Sequence, residues 1–156
     1  MENTDIRRYR RALRQFQSLA GTQMRLCSCS VSLAQCLVLL QIDEQGHSTM
    51  GQLASALRLD HSTLSRTVDG LVRKKLLARL RDESDGRLVW IRLTRAGAAT
   101  CEEIHRNNDA YCLRVFENIP ASERGAVIRY FELLVQAYLD HEQAVTDDEP
   151  GQQANH

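Results

Sequence analysis

The stretch Met50–Thr94, MGQLASALRLDHSTLSRTVDGLVRKKLLARLRDESDGRLVWIRLT, decides the fold. Its first part predicts a short helix over Met50–Leu57 that packs Leu53, Ala54 and Leu57. A second helix follows from about His61 to Lys75, with Asp60 as its N-cap and Leu64, Val68, Leu71 and Val72 on its inner face. Leu80–Arg81 and Leu88–Leu93 then alternate as strands around the turn DESDG, a hairpin signal. Two helices running straight into a charged hairpin are the layout of a winged helix-turn-helix. No arrangement of catalytic side chains competes for those positions.

With Leu64, Val68 and Leu71 turned inward, the second helix of the pair shows Ser62, Ser65, Arg66, Asp69 and Arg73 on its outer side. Short hydroxyls and one arginine let a helix lie flat in the major groove, where bulkier residues would hold it off. His61, Ser62 and Thr63 occupy its first turn, where free N–H groups and the helix dipole favour a phosphate. Arg66 is the candidate for a guanine contact, and Ser62, Thr63 and Ser65 for bases or phosphates. The hairpin tip carries Asp85-Gly86-Arg87, which puts a guanidinium where it can enter a narrow minor groove. Asp85 is expected to orient Arg87 by a salt bridge, while Arg81, Arg92 and Arg95 line the hairpin towards phosphates. The candidate DNA-binding set is therefore His61, Ser62, Thr63, Ser65, Arg66, Arg73, Arg81, Asp85 and Arg87.

Charge placement agrees with that set. The net charge of the 156 residues is zero, yet Arg58–Arg95 holds ten Lys/Arg against five Asp/Glu. From Asp140 to the end there are five acids and no Lys or Arg, so a basic module and an acidic tail hide in the average. No apolar run approaches the ~18 residues that a membrane helix needs, and MENTDIRRYRRALRQF has no signal-peptide core. The expected compartment is the cytoplasm. There the five cysteines are expected to be reduced thiols rather than a disulfide framework.

Helices flank the reader on both sides. The first is placed near residues 4–26, with Ile6, Tyr9, Leu13 and Phe16 along a narrow coiled-coil-like seam. The next, about Ser32 to Glu44, starts at Ser32 and ends at Gly46. A fifth is placed near Ala96–Asn118 after Thr94 as cap, and a sixth from Ser122 to about His141 with Phe131, Leu134 and Tyr138 on its stripe. The fold class read from this pattern is mainly α with a small β-hairpin wing, a winged helix-turn-helix (about 32–94) flanked by dimerisation helices (about 4–26 and 96–145). These form one domain over 1–145, followed by an acidic disordered tail over 146–156. A two-chain bundle would bury the seams at ~1.5–3 kcal/mol per large side chain, and a symmetric dimer is how such readers span two half-sites.

These residues carry a family resemblance. The chain resembles a MarR-type transcriptional regulator in LAQCLVLLQI, in QLASALRLDHSTLSRTVDGLVRKKLLAR and in RDESDGRLVWIRLTRAG. The specific part is Asp85-x-Arg87 followed by Leu93-Thr94 and Gly97. The resemblance implies a homodimer binding double-stranded DNA at a palindromic operator, usually repressing and released by a ligand or oxidant. Arg58 departs from the pattern, since the family often has glycine in that turn.

Cys27-Ser28-Cys29 precedes the second helix, Cys36 lies inside it, and Cys101 and His105 are one turn apart on the fifth. Thiolates and an imidazole suit zinc or softer ions such as copper(I), cadmium or arsenic. The zinc-sensing members of the resembled family draw ligands from corresponding places, which by role are Cys27 or Cys29, Cys36, Cys101 and His105. Plain core packing and thiol oxidation account for the same cysteines, and a small aromatic effector in a cleft is a further reading. The functional classes left are a DNA-binding repressor and, as the alternative, a winged-helix protein-interaction module without operator binding. An enzyme is not expected. Nothing partners Cys27-x-Cys29 as a reactive set, and no phosphate-cradling glycine loop exists.

Overall fold

The computed structural model describes residues 3–25, 31–82 and 84–147, with side chains over 3–19, 31–82 and 84–145. The elements in chain order are α1 (Asn3–Arg25), α2 (Leu33–Gln45), α3 (Met50–Leu57), α4 (His61–Arg73), β1 (Leu77–Arg81), β2 (Val89–Leu93), α5 (Arg95–Glu117) and α6 (Arg124–Asp147). Two compact units divide inside α5, Met1–Asp109 and Ala110–His156.

In the first unit local chemistry fixes the helix starts. Ser32 and Gln35 form a capping box on α2, each accepting the other's backbone N–H at 3.3 Å. Thr49 and Gln52 do the same on α3. Asp60 caps α4 by accepting from the Thr63 N–H at 2.8 Å. The ends are equally defined. Gly46 closes α2 at φ 75°. Helices α3 and α4 each end in a Schellman turn, and the left-handed position is taken by a cation, Arg58 at φ 51° and Lys75 at φ 59°. A side chain in that region costs ~1–2 kcal/mol relative to glycine, so the Arg58 departure from the family pattern is tolerated, not favoured.

The core is one cluster: Val38, Leu39 and Ile42 from α2, Leu53 from α3, Leu64, Val68 and Leu71 from α4, Leu76, Leu77 and Ile91 at the hairpin root, and Cys101 and Ile104 from α5. The strands pair antiparallel from Leu77 opposite Leu93 to Arg81 opposite Val89. Ser48, fully buried, adds a one-residue third strand. Its N–H donates to the Ile91 carbonyl at 3.0 Å, and its carbonyl accepts from the Ile91 N–H at 2.8 Å.

The larger differences from the sequence reading are at the bounds of α4, β1 and α6. Helix α4 stops at Arg73, two residues short of Lys75, because Lys75 turns into the left-handed region. Strand β1 begins at Leu77 rather than Leu80, since Leu77 is needed in the core. Helix α6 starts at Arg124 after a turn in which Glu123 N–H donates to Pro120 carbonyl. It continues to Asp147, carried by the helix formers Glu142, Gln143 and Ala144. The expected tail beyond 147 lies outside the described residues.

Helix α5 leaves the hairpin through a close junction. Thr94 donates its backbone N–H to the Leu76 carbonyl at 3.0 Å and its hydroxyl to the Lys75 carbonyl at 2.7 Å, and accepts from the Gly97 N–H at 3.0 Å. A methyl on Gly97 would fall 2.1 Å from the Leu76 oxygen. Gly97→Ala is expected to lower unfolding free energy by about 1–3 kcal/mol, the cost of forcing a group into a closed contact. Gly51→Ala, which meets nothing within 4 Å, should instead raise it by about 0.5–1 kcal/mol. Urea unfolding midpoints of the two variants check both signs.

Candidate nucleic-acid interface

The outer side of α4 is built as a network. Ser62 Oγ donates to Asp60 Oδ1 at 2.6 Å, and Arg66 donates through Nε to the Ser62 carbonyl and through Nη2 to Ser62 Oγ. Two of the five Arg66 donors are thereby used along its own helix, and Thr67 donates to the Thr63 carbonyl. Hydrogen bonds from Ser62 and Thr63 hold the Asp60 carboxyl well below the usual carboxylate range. That carboxylate sits on the first turn of α4, so the phosphate position expected at His61–Thr63 is shared with a fixed negative charge. His61, Ser62, Arg66 and Arg73 are exposed, while Thr63 and Ser65 are half-buried.

The wing is organised by a residue the sequence reading did not single out. Asp82 Oδ1 accepts from Ser84 N–H (2.9 Å), Ser84 Oγ (2.5 Å) and Asp85 N–H (3.0 Å), and its Oδ2 accepts from Trp90 Nε1 at 2.7 Å. The Ser84 hydroxyl, the Trp90 indole and these backbone donors hold the Asp82 carboxyl far below its ordinary value. Trp90 in turn meets His47 edge-on, with ring centroids 4.5 Å apart. Asp85 serves differently from expectation. Its carboxylate accepts the Arg87 backbone N–H at 3.0 Å and makes no ion pair with the guanidinium, because the tight turn brings the main chain to it first. Arg81 and Arg87 are exposed, and so are Arg92 and Arg95.

The four described acids of the basic module share a pattern. Asp60, Asp82 and Asp85 accept hydrogen bonds from their own loops, and Asp69 accepts from Arg79 Nη2 at 2.7 Å, tying α4 to β1. At that exposure the pair is worth little, ~1 kcal/mol at most. Its effect is to keep Asp69 beside a cation on the face that carries Arg66 and Arg73.

The cysteine set divides. Cys27 and Cys29 lie outside the described residues. Among the described residues no three His, Cys, Asp or Glu side chains gather into a metal-binding group. His105 Nε2 sits 3.1 Å from Asp43 Oδ2, joining α5 to α2. Cys36 is half-buried and Cys101 is part of the core. Burial pushes the Cys101 thiol up to about 11, with the negative charge of Asp43 and nearby Cys36 adding to it. The dimerisation candidates remain partly open: Tyr9, Phe16, Phe131 and Tyr138 are exposed at between 36% and 51%, and Ile6, Leu13 and Leu134 are half-buried.

With the geometry in hand, the likeness to known proteins is specific. Residues 30–88 match the model of the MarR family. Residues 30–88 thus resemble a MarR-family winged helix. It is 43% identical over 61 residues to YxaD, an uncharacterized HTH-type transcriptional regulator of Bacillus subtilis, covering 39% of this chain and 43% of that one. A MarR family protein from Bacillus stearothermophilus superposes with a TM-score of 0.82 at 26% identity, over 89% of this chain and 99% of the other. A mutant Escherichia coli MarR complexed with operator DNA gives 0.63 at 26% identity, over 80% and 93%. The chain spans about half the length of the curated relatives it matches, 43% of the first and 56% of MarR itself. The MarR-like architecture, six helices and a two-stranded hairpin, is the one expected from Met50–Thr94 and its flanks.

His47 and Ser48 were missed because their partners Trp90 and Ile91 lie far along the chain, and Asp82 because it was read only as one acid of the turn, not as the acceptor for Ser84, Asp85 and Trp90. The one available signal was a single tryptophan on a strand eight residues after an aspartate. Cys101 supplies a direct check of its environment. At pH 8 a thiol held near 11 carries on the order of one thiolate in a thousand, so iodoacetamide should leave Cys101 unmodified in the folded chain and label it in urea. Peptide mass spectrometry of the two samples reads this; equal labelling would remove Cys101 from the core.

Proposed function

We propose that this chain is a transcriptional regulator that binds a palindromic operator as a homodimer, acting in the cytoplasm. The observation that carries the reading is the face formed by α4 and the wing. Ser62, Ser65, Arg66 and Arg73 stand on one helix, Arg87 stands at a turn fixed by Asp82 and Asp85, and the acids between them are occupied by the protein's own donors. The mutant MarR of Escherichia coli, of similar fold, was solved in complex with operator DNA, which supports assigning the same partner here. In this reading α4 enters the major groove, with Arg66 at a guanine, and Arg87 enters the minor groove beside it.

The second chain is supported by uncovered apolar surface. Among the described residues of α1 and of the second unit no side chain is buried, although Phe16, Leu19, Ile128, Phe131 and Leu133 are all about half exposed or more. A monomer leaves that surface in water, whereas a two-fold bundle of such helices buries it and sets the spacing of the two reading helices. An effector that changes this spacing would release the operator, since both half-sites must be engaged together.

Two outcomes test the reading. Arg87→Ala is expected to weaken binding to an inverted-repeat duplex by about 1–3 kcal/mol while leaving the fold intact. Fluorescence anisotropy and circular dichroism measure the two quantities, and undiminished affinity would reject the wing contact. Leu134→Arg is expected to convert the dimer to a monomer in light scattering. Without the second half-site, its DNA affinity should fall towards the non-specific level, ~10³-fold or more. A native chain that is already monomeric would overturn the dimer.

A further inference from the structure

The hairpin tip and the start of α3 are joined by contacts that run through three side chains. Asp82 N–H donates to the Leu88 carbonyl at 3.0 Å and closes the tip, and Leu88 N–H donates to the Asp85 carbonyl at 2.9 Å. The Asp82 carboxylate gathers the Ser84 and Asp85 donors on one oxygen and the Trp90 indole on the other. Trp90 lies edge-to-face on His47, at an interplanar angle of 83°. His47 precedes Ser48, whose two backbone groups bond Ile91, and Ser48 precedes Thr49, the cap of α3.

From this geometry we infer that Asp82, with Trp90 and His47, is a latch that sets the direction of Arg87 relative to the helix-turn-helix. Asp82 is thus a positioning residue for DNA reading, acting through Arg87. The inference rests on the proposed role of Arg87 in the wing. Its physical content is preorganisation. A loop of SDGR, exposed and containing a glycine, would sample many shapes if untied, and DNA would have to order it on binding. One carboxylate that accepts from Ser84, Asp85 and Trp90 orders the loop when the chain folds. It also ties the loop to Trp90, and through His47 to the segment that starts α3. The tip is then tied to the start of α3, and through the packing of α3 on α4 to the reading helix, as a reader that must enter two grooves at once requires.

A double-mutant cycle tests this on an inverted-repeat duplex selected by the native chain from a random-sequence library. Asp82→Asn keeps the shape but cannot accept both from the loop and from the indole, because one of its two terminal atoms is now a donor. Trp90→Phe keeps an aromatic ring against His47 and removes only the N–H. Each is expected to weaken binding about tenfold in the native background and less than about twofold when Arg87 is already alanine. Equal losses in both backgrounds, or no loss in either, would overturn the latch, since general destabilisation does not depend on Arg87. If Arg87→Ala itself costs nothing, the wing contact fails and the latch with it. A cost from Arg87→Ala that the other two variants do not share rejects the latch alone. Trp90→Phe also serves should Asp82→Asn fail to fold.

Discussion

The carbonyl of Leu76 is the point on which the reader is assembled. It lies just past the Schellman turn that ends α4, accepts the Thr94 N–H at the exit of the hairpin, and stands where any side chain on Gly97 would have to be. Three elements therefore meet around one peptide group: the end of the reading helix, the root of the wing and the first turn of α5. Leu76 and Leu77 bury the apolar side of the same junction beside Leu71 and Ile91. A misfit of an ångström here would tilt the wing against α4 and change α5's direction out of the core, so the stringency on Gly97 and Thr94 follows from position rather than from chemistry with DNA.

Electrostatics in the module follow a second rule. On the proposed function, a surface that binds DNA has to tolerate the acids that caps and turns require. This chain does so by giving each described acid a donor from its own backbone or a neighbouring side chain. Asp60 is the partial exception. It strengthens α4 as a cap, yet leaves a negative charge at the helix start, where a phosphate would otherwise be welcome. On the proposed function, this favours reading by Ser62 and Arg66 further along the helix over phosphate capture at its first turn.

Much of this architecture was legible in the residues because its signals are short. Ser32, Asp60 and Gly46 mark ends by local hydrogen bonding or by φ, and α3 agrees to the residue with its expected span. Where the sequence misleads, a local pattern is overruled by the core. Val72 to Leu77 continues an apolar rhythm that hides the turn at Lys75, since lysine is not a signal for a left-handed backbone. Asp85-x-Arg87 reads as an ion pair on paper, whereas the folded turn offers Asp85 a backbone N–H instead. The wing network was invisible because His47 and Trp90 lie far apart along the chain and meet only when Ser48 joins the sheet. Of the cysteine set, Cys101 is a core residue and His105 lies beside Asp43, while Cys27 and Cys29 lie outside the described residues.

Trp90 is the chain's single tryptophan, and it is held between a carboxylate and an imidazole on β2 of the wing. Emission excited beyond the absorption band of the four tyrosines is thus a signal from one place. The indole sits within a few residues of the tip but, being half-buried on its strand, is not itself a groove-facing group. Loss of the Asp82 or His47 contact would change the indole's surroundings, so its emission is expected to respond when the hairpin rearranges, without any attached dye.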